Sequence, residues 1–210
     1  MNGLSGGKDE RQRLIEDALA LVRSEGRVIT RADLALSGGL SRSKIERHFP
    51  EEADLFDCVA EAFYQPQIDL MEQVVASDLS PPRKMYEFFA RRYLLNREDF
   101  RADPSGYRAL CEVGSEEFER VRGYVDLADH YLAMIVAEAQ GDGAFPDLTI
   151  DQALSLINQM VMCYTMPDLI ALLDHRLSEG KLAQIIDTLF AGLAGTDRGA
   201  APVTGLRAAT

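Results

Sequence analysis

The chain has few of the residues from which catalytic and metal centres are built. It contains three histidines and three cysteines in 210 residues, and none of them falls in a zinc-ligand spacing. The glycine-rich start, GLSGGK, lacks the Ser or Thr that follows the lysine of a phosphate-binding loop, and it is more typical of a flexible arm. A cysteine nucleophile at Cys111 would stand beside Glu112 without a basic partner. We therefore expect no enzyme, no metal and no cofactor.

Long apolar runs are also missing. Gln159, Asp168 and Asp174 interrupt the most apolar stretch, so no segment has the length and composition of a membrane span. The first residues, MNGLSGGKDERQR, have no apolar core and do not resemble a signal peptide. The cysteines are odd in number and far apart, which indicates reduced thiols. We expect a cytoplasmic protein that does not enter a membrane.

Acidic residues outnumber basic ones, but not uniformly along the chain. The net charge is −12, whereas residues 8–49 hold nine Lys/Arg against seven Asp/Glu, a balance of +2 that leaves −14 for the rest. A short basic helix with Arg42, Lys44 and Arg47 lies in this segment. An acidic body with one weakly basic end is typical of a protein that meets DNA through that end alone.

Hydrophobic periodicity predicts consecutive helices and no strand. A first helix over 8–24 is followed by Thr30 and Asp33, which have the spacing of a capping box for a second helix. Gly38-Gly39 ends that helix, and Ser41 is placed to cap a third. This arrangement predicts a helix-turn-helix within the first 50 residues.

The remainder predicts six further helices, which makes about nine in all. Pro66 should kink or divide the first of them. The expected ranges are 51–77, a helix that starts at Ser80-Pro81-Pro82, 105–112, 115–140, 150–177 and 181–194. The residues after them, 196–210, are rich in Gly, Ala, Pro and Thr and are expected to form a flexible tail.

The last two predicted helices indicate assembly. Between residues 160 and 173 apolar side chains occur on every side, and a helix of this kind must be covered all round. Core on one side and a partner subunit on the other would meet that need, although an interior helix of a monomer would meet it too. The residues expected at a two-fold dimer interface are Met160, Leu172, Leu182, Ile185, Leu189 and Phe190.

One set of short motifs points to a known family. In order along the chain these are Gly26, Thr30-Arg31, Leu34-Ala35, Gly38-Gly39, Leu40-Ser41, His48-Phe49 and Leu55-Phe56. With this order and spacing, residues 11–56 resemble the DNA-binding domain of the tetracycline-repressor (TetR) family of bacterial transcriptional regulators. The all-helical remainder and the length are similar to the family in outline only.

The resemblance implies an all-α protein with two domains. A three-helix helix-turn-helix domain would comprise residues 1–50, and a larger effector-binding and dimerisation domain would comprise 51–195. The implied function is a homodimeric, ligand-responsive regulator, a repressor that a small molecule releases from double-stranded operator DNA. The alternative is a small-molecule-binding or interaction protein of the same fold with weak or lost DNA binding.

The resemblance also implies DNA contacts for particular side chains, which are Thr30, Arg31, Ser41, Arg42, Ser43, Lys44, Arg47 and His48. By their chemistry, Arg42 and Lys44 suit guanine in the major groove. Two positions depart from the family, because Glu46 stands where it usually has Tyr and Glu52 where it usually has Lys. A carboxylate there would repel phosphate, and this favours the alternative function.

The body offers a set of aromatic and sulfur-containing candidates for a pocket between helices. They are Phe89, Tyr93, Tyr107, Cys111, Tyr131, Met134, Met160 and Tyr164. Such a lining would suit a small hydrophobic or aromatic effector. The same side chains could instead belong to the hydrophobic core.

Overall fold

A computed structural model of the chain describes residues 3–193, with side chains from Lys8 onward, and within that range it contains ten helices and no strand. The helices are α1 Gly3–Glu25, α2 Arg31–Ser37, α3 Arg42–His48, α4 Glu52–Val75, α5 Pro81–Ala102, α6 Pro104–Glu116, α7 Phe118–Gly141, α8 Ile150–Thr165, α9 Pro167–Leu173 and α10 Glu179–Gly192. The predicted all-α fold is confirmed. The predicted tail, 196–210, lies outside the described residues.

The capping box at the start of α2 forms as the sequence predicts. The Thr30 hydroxyl accepts from the Asp33 amide at 3.1 Å, and the Asp33 carboxylate accepts from the Thr30 amide at 2.8 Å. After α2, Gly39 adopts φ +60°, a left-handed conformation that glycine reaches without steric cost. Ser41 stands at the N-cap of α3 but makes no capping hydrogen bond, because its hydroxyl lies 3.4 Å from that of Ser43 instead.

The N-terminal helices share their core with α4 and α6. Buried apolar side chains of α1–α3 pack with residues from the start of α4 and from the middle of α6, so this core extends well beyond residue 50. The buried members are Leu14, Ile15, Ala18, Val22, Ile29, Leu34, Ile45, Phe49, Leu55, Cys58, Val59, Leu110 and Val113. We call this set the N-terminal core.

A second core holds the larger part of the chain together. It combines the last half of α4 with α5, α7, α8, α9 and α10, and the aromatic side chains of Phe88, Phe89 and Tyr93 on α5 lie at its centre. Because α5 contacts α4 and every helix from α6 to α10, it is the axis around which the C-terminal body packs.

The predicted single helix over 150–177 is wrong, and this accounts for the tenth helix. Pro167 begins α9 at a 52° bend from α8, and Met166 before it is extended, with φ −83° and ψ 119°. Proline lacks an amide hydrogen and disfavours helix in the preceding residue, so it divides the helix here. Pro66, by contrast, lies inside an uninterrupted α4, where buried Ile68 and Met71 follow it and hold the helix against the core.

The N-terminal boundary also differs from the prediction. α1 begins at Gly3 and not at Lys8, so the residues predicted to form a flexible arm include its first turns. Extension of a helix costs much less than its nucleation, and α1 is already nucleated by the packing of Leu14 and Ile15. Across the described range, no single helix has the length and apolar composition of a membrane span, although the bent pair α8–α9 does when its two helices are taken together.

Candidate DNA-binding surface and effector cavity

The eight predicted DNA contacts fall on two helices that pack against each other, α2 and α3. Thr30 and Ser41 are the N-caps of these helices, Arg31 begins α2, and the other five lie on α3; we call the eight the N-terminal polar surface. Thr30, Ser41, Arg42, Ser43 and Arg47 are exposed, whereas Arg31, Lys44 and His48 are half-buried. The two groups differ because the half-buried side chains have partners within the protein.

Arg31 joins α2 to the start of α4. Its Nε donates to Glu52 Oε1 at 3.1 Å, its backbone amide donates to Glu52 Oε2 at 2.8 Å, and its guanidinium also donates to the carbonyls of Phe49 and Pro50. Most Arg31 donors are therefore engaged within the chain, and only 16% of its side-chain surface is exposed. Glu52 compensates this cation locally, a role that the sequence pattern did not reveal.

Glu10 of α1 contacts two basic side chains of α3. Its carboxylate lies 2.6 Å from Lys44 Nζ and 3.2 Å from His48 Nε2. The hydrogen bond from Lys44, followed by that from His48, lowers the Glu10 pKa below its ordinary value. No spacing rule links positions 34 residues apart, so sequence reasoning could not find this contact.

The two arginines of α3 differ in whether they have a carboxylate partner. Arg42 Nε donates to Glu46 Oε1 at 2.8 Å, one helical turn further along. Arg47 is exposed and has no carboxylate within 4.0 Å among the described side chains. Of the four basic side chains on α3, three are already compensated within the protein.

A cavity of about 330 Å³ lies in the body, between α4, α5, α6, α7 and the junction of α8 with α9. We call it the central cavity. Its walls are mainly apolar and aromatic, and they include Phe63, Tyr64, Ile68, Met71, Leu110, Phe118, Val121, Tyr124, Val125, Ala128 and Met166. Its polar members include Gln67, Arg92, Asn96, Cys111, Ser115, Asp129 and Asn158. An apolar concavity with a few polar groups is the usual form of a small-molecule site.

The polar groups of the cavity differ in how they are satisfied. Asn96 donates to the Arg92 carbonyl at 2.8 Å and accepts from the Tyr107 hydroxyl at 3.1 Å. Asp129 accepts from Asn158 at 2.9 Å. Arg92 Nε is buried and has no hydrogen-bond partner among the described residues, and desolvation lowers the Arg92 pKa to about 10. Burial raises the pKa of Cys111 to about 12, so this thiol stays protonated at neutral pH.

Of the eight predicted ligand residues, Cys111 alone lines the central cavity. Four of the others, Phe89, Tyr93, Tyr107 and Tyr164, are at most 3% exposed and form part of the packing. The remaining three are on the surface, where Met134 and Met160 are exposed and Tyr131 donates to Glu72 at 2.7 Å. The aromatic lining comes instead from α4 and α7, whose apolar faces give no local signal that separates cavity from core.

α6 is shared by the central cavity and the N-terminal core. Val113 belongs to that core, Cys111 and Ser115 line the cavity, and Leu110 belongs to both. α6 also approaches α1 closely, because a Cβ added to Gly106 would lie 2.9 Å from the Arg23 Cβ. A displacement of α6 at the cavity would therefore be felt in the core that supports α3.

The predicted interface residues fall into three groups by exposure. Leu182 and Leu189 are at most 1% exposed and pack within the chain itself, so their surface is not open to a second subunit. Ile185 and Phe190 are half-buried. Met160 and Leu172 are exposed at 46% and 68%, so their apolar surface is not covered within the chain.

Comparison with known proteins gives the family. Residues 81–186 match the family model described as "Tetracyclin repressor-like, C-terminal domain", which covers half of the chain. The fold and the match define a helical transcription regulator with an N-terminal helix-turn-helix. The chain belongs to the TetR family.

A solved structure supports the fold along most of the chain. The ketosteroid transcriptional regulator KstR2 of Mycobacterium tuberculosis is similar with a TM-score of 0.53 and 16% identity, over 92% of this chain and 94% of that chain. At this identity the likeness concerns the fold alone. The comparison with curated proteins found no match.

Proposed function

We propose that the protein is a dimeric repressor that binds operator DNA through α3 and leaves it when a small molecule fills the central cavity. The observation that carries this proposal is the position of α6. Leu110 and Val113 of α6 support the N-terminal core, and Cys111 and Ser115 of the same helix line the cavity. A ligand that repositions α6 has a direct path to the DNA-binding helix.

The mechanism is a shift between two populations. A dimer reads two half-sites whose centres are about 34–36 Å apart or a multiple of that distance, so its two α3 helices must have a matching separation. A ligand that binds better to a state with another separation lowers the population that fits the operator. The Arg23–Asp99 ion pair, 2.8 Å long, joins α1 to α5 and provides a second connection between the body and the DNA-binding part.

The proposed dimer forms through the outer faces of α8 and α9. The exposed apolar side chains on these helices are Leu156, Met160, Met162 and Leu172. Exposed apolar surface of this kind is typical of a subunit interface.

A second function is favoured by the ion pairs of α3. Lys44 and His48 are engaged by Glu10, and Arg42 is engaged by Glu46. A protein of this fold with such compensation would bind DNA weakly and act mainly as a small-molecule-binding or interaction protein. The two proposals differ in whether the purified protein selects a DNA sequence.

Selection from genomic fragments tests the DNA-binding proposal. The full chain is incubated with sheared genomic DNA, bound fragments are sequenced, and affinity is measured on the selected site and on a scrambled duplex. Arg42→Ala should relax specificity at one base position, at a cost of about 1–3 kcal/mol. Arg83→Ala is the matched control, since Arg83 has the same pairing with a carboxylate four residues on but lies on α5. Recovery of no enriched sequence would favour the second function.

Release by a small molecule tests the effector proposal. Compounds that raise the melting temperature of the protein are measured again for their effect on operator affinity, because coupling between two sites is reciprocal. A stabilising compound that occupies the cavity should weaken operator binding. Compounds that stabilise the protein and leave its operator affinity unchanged would contradict the switch.

A further inference from the structure

We infer that the central cavity takes an amphipathic acid, a small molecule with an apolar body and an anionic group that pairs with Arg92. The inference rests on the proposed function, since it names the chemical class of the effector. It starts from one side chain whose hydrogen-bonding capacity is unfilled, and from the apolar surface around it.

Arg92 lies in the cavity wall with its charge uncompensated at short range. Arg92 is half-buried as a residue, and its guanidinium Nε is buried and has no hydrogen-bond partner among the described residues. The Arg92 guanidinium lies over the Phe88 ring, and Arg92 Cζ is 5.2 Å from the ring centroid. Burial disfavours the charged form, but Arg92 remains protonated at neutral pH, and its free donors can bind an anion.

The other arginines near Arg92 on α5 have carboxylate partners. Arg91 Nε lies 2.8 Å from Glu87, and Arg97 and Arg101 lie 2.6 Å and 3.0 Å from Asp174. Arg92 therefore differs from these arginines in having no carboxylate partner. A half-buried arginine that lines a cavity without such a partner is the arrangement expected when the partner arrives with a ligand.

Asp129 is the carboxylate whose charge acts on Arg92, but it does not neutralise the arginine by direct pairing. The two make no ion pair within 4.0 Å, and the Asp129 carboxylate accepts from Asn158 at 2.9 Å. Its more distant charge favours the protonated form of Arg92. A cationic ligand would instead be attracted to Asp129. The charge of the ligand therefore decides whether it pairs with Arg92 or with Asp129.

The rest of the cavity suits an apolar body. Phe118, Val125 and Met166 line it and are 42–49% exposed, so their apolar surface remains to be covered. Tyr64 and Tyr124, also in the wall, stack with ring centroids 4.6 Å apart. A planar or branched hydrocarbon would contact these side chains while its acidic group reached Arg92.

A matched set of naphthalene compounds tests the charge preference. Naphthylacetate, naphthylethanol and naphthylethylamine share the ring and differ in a negative, neutral or positive head group. Binding of each to the full chain is measured by calorimetry, with wild type, Arg92→Met and Arg91→Met. Methionine keeps the length and apolar character of the arginine stem, and Arg91 is the matched control on the adjacent, outward-facing position.

The proposal expects naphthylacetate to bind wild type at least about tenfold more tightly than naphthylethanol, as a charge-assisted hydrogen bond predicts. Arg92→Met should abolish that preference, and Arg91→Met should keep it. Arg92→Met should also raise the melting temperature of the ligand-free protein, which checks that the variant folds. Equal binding of the three compounds, or tightest binding of the amine, would overturn the inference and leave the effector site standing. Failure of all three to bind would count against the effector site itself.

Discussion

Glu10 offers the sharpest test of how α3 meets DNA. Its carboxylate accepts from Lys44 and His48, so these side chains must leave it before they can contact phosphate. Glu10→Gln removes the negative charge and keeps the shape of the side chain. We expect tighter binding to every DNA sequence, because the competitor within the protein is weakened and its repulsion of phosphate is lost.

The magnitude follows from counterion release. If Lys44 gains one phosphate contact in the variant, the slope of log affinity against log salt becomes steeper by about 0.9. Between about 50 and 200 mM salt, the advantage of the variant over wild type should then fall about 3.5-fold. Affinity is measured by fluorescence anisotropy over that range, on the selected operator and on a scrambled duplex, and both should respond alike.

Glu16→Gln is the control for this measurement. Glu16 is an exposed carboxylate on α1, and it accepts a hydrogen bond from Gln12 and not from a side chain of α3. It should leave both the affinity and the salt slope near the wild-type values. If Glu10→Gln gave the same slope as Glu16→Gln and wild type, Lys44 would not be a phosphate contact, and the reasoning about α3 would be refuted.

Four further predictions concern stability, its pH dependence, reactivity and assembly. Thr30→Ala should lower the free energy of unfolding by about 1 kcal/mol in urea denaturation, because it removes the cap of α2. Hydrogen bonds from Arg27 and Thr30 hold the Asp33 pKa well below its usual range. The contribution of Asp33 to the free energy of unfolding should therefore be complete above about pH 4 and decline only as the pH falls below that value. A decline of this contribution near neutral pH would contradict the reasoning. Cys111, whose pKa burial raises to about 12, should react with iodoacetamide much more slowly than free cysteine, as peptide mass spectrometry can measure. Met160→Glu should convert a sedimenting dimer to a monomer without loss of helix, and a monomeric wild type would contradict the proposed interface.

Two helix-start signals that depend on neighbouring residues are confirmed by the structure. Thr30 and Asp33 form a capping box, and Ser80 is the N-cap of α5, with prolines in its first turn. Each depends on side chains within four positions of a helix end, where the backbone needs a partner whatever the rest of the chain does. The family motifs around α2 and α3 were equally local, and they were sufficient for the fold.

The two prolines in apolar helices show why other features were not predictable. Pro66 and Pro167 give the same local signal, yet α4 continues through the first and the second divides α8 from α9. After Pro66, α4 continues and buries Ile68 and Met71, whereas α9 turns away from α8 and buries Ile170. Tertiary packing decides between these outcomes, and sequence periodicity does not contain it.

The cavity escaped prediction for a related reason. A wall residue and a core residue obey the same periodicity, because both face the inside of the molecule. Tyr107 and Tyr164 were candidates by their chemistry and are packed, whereas Tyr64 and Tyr124 line the central cavity. Whether a tyrosine is packed or lines a cavity depends on how closely the neighbouring helices approach each other. That approach depends on residues remote in the chain.

The two proposed sites differ in how their charges are balanced, and this difference bears on the direction of the switch. On α3, Lys44, His48 and Arg42 have carboxylate partners, so DNA must displace contacts that the free protein already makes. In the central cavity, Arg92 Nε has no hydrogen-bond partner among the described residues, so an anion would gain a contact there without displacing one. If α3 binds DNA as proposed, that binding would be weakened by competition within the chain, whereas binding of an acid at Arg92 would not. Such an imbalance would favour release by an effector of modest affinity, because Glu10 and Glu46 would already compete with the DNA-bound state.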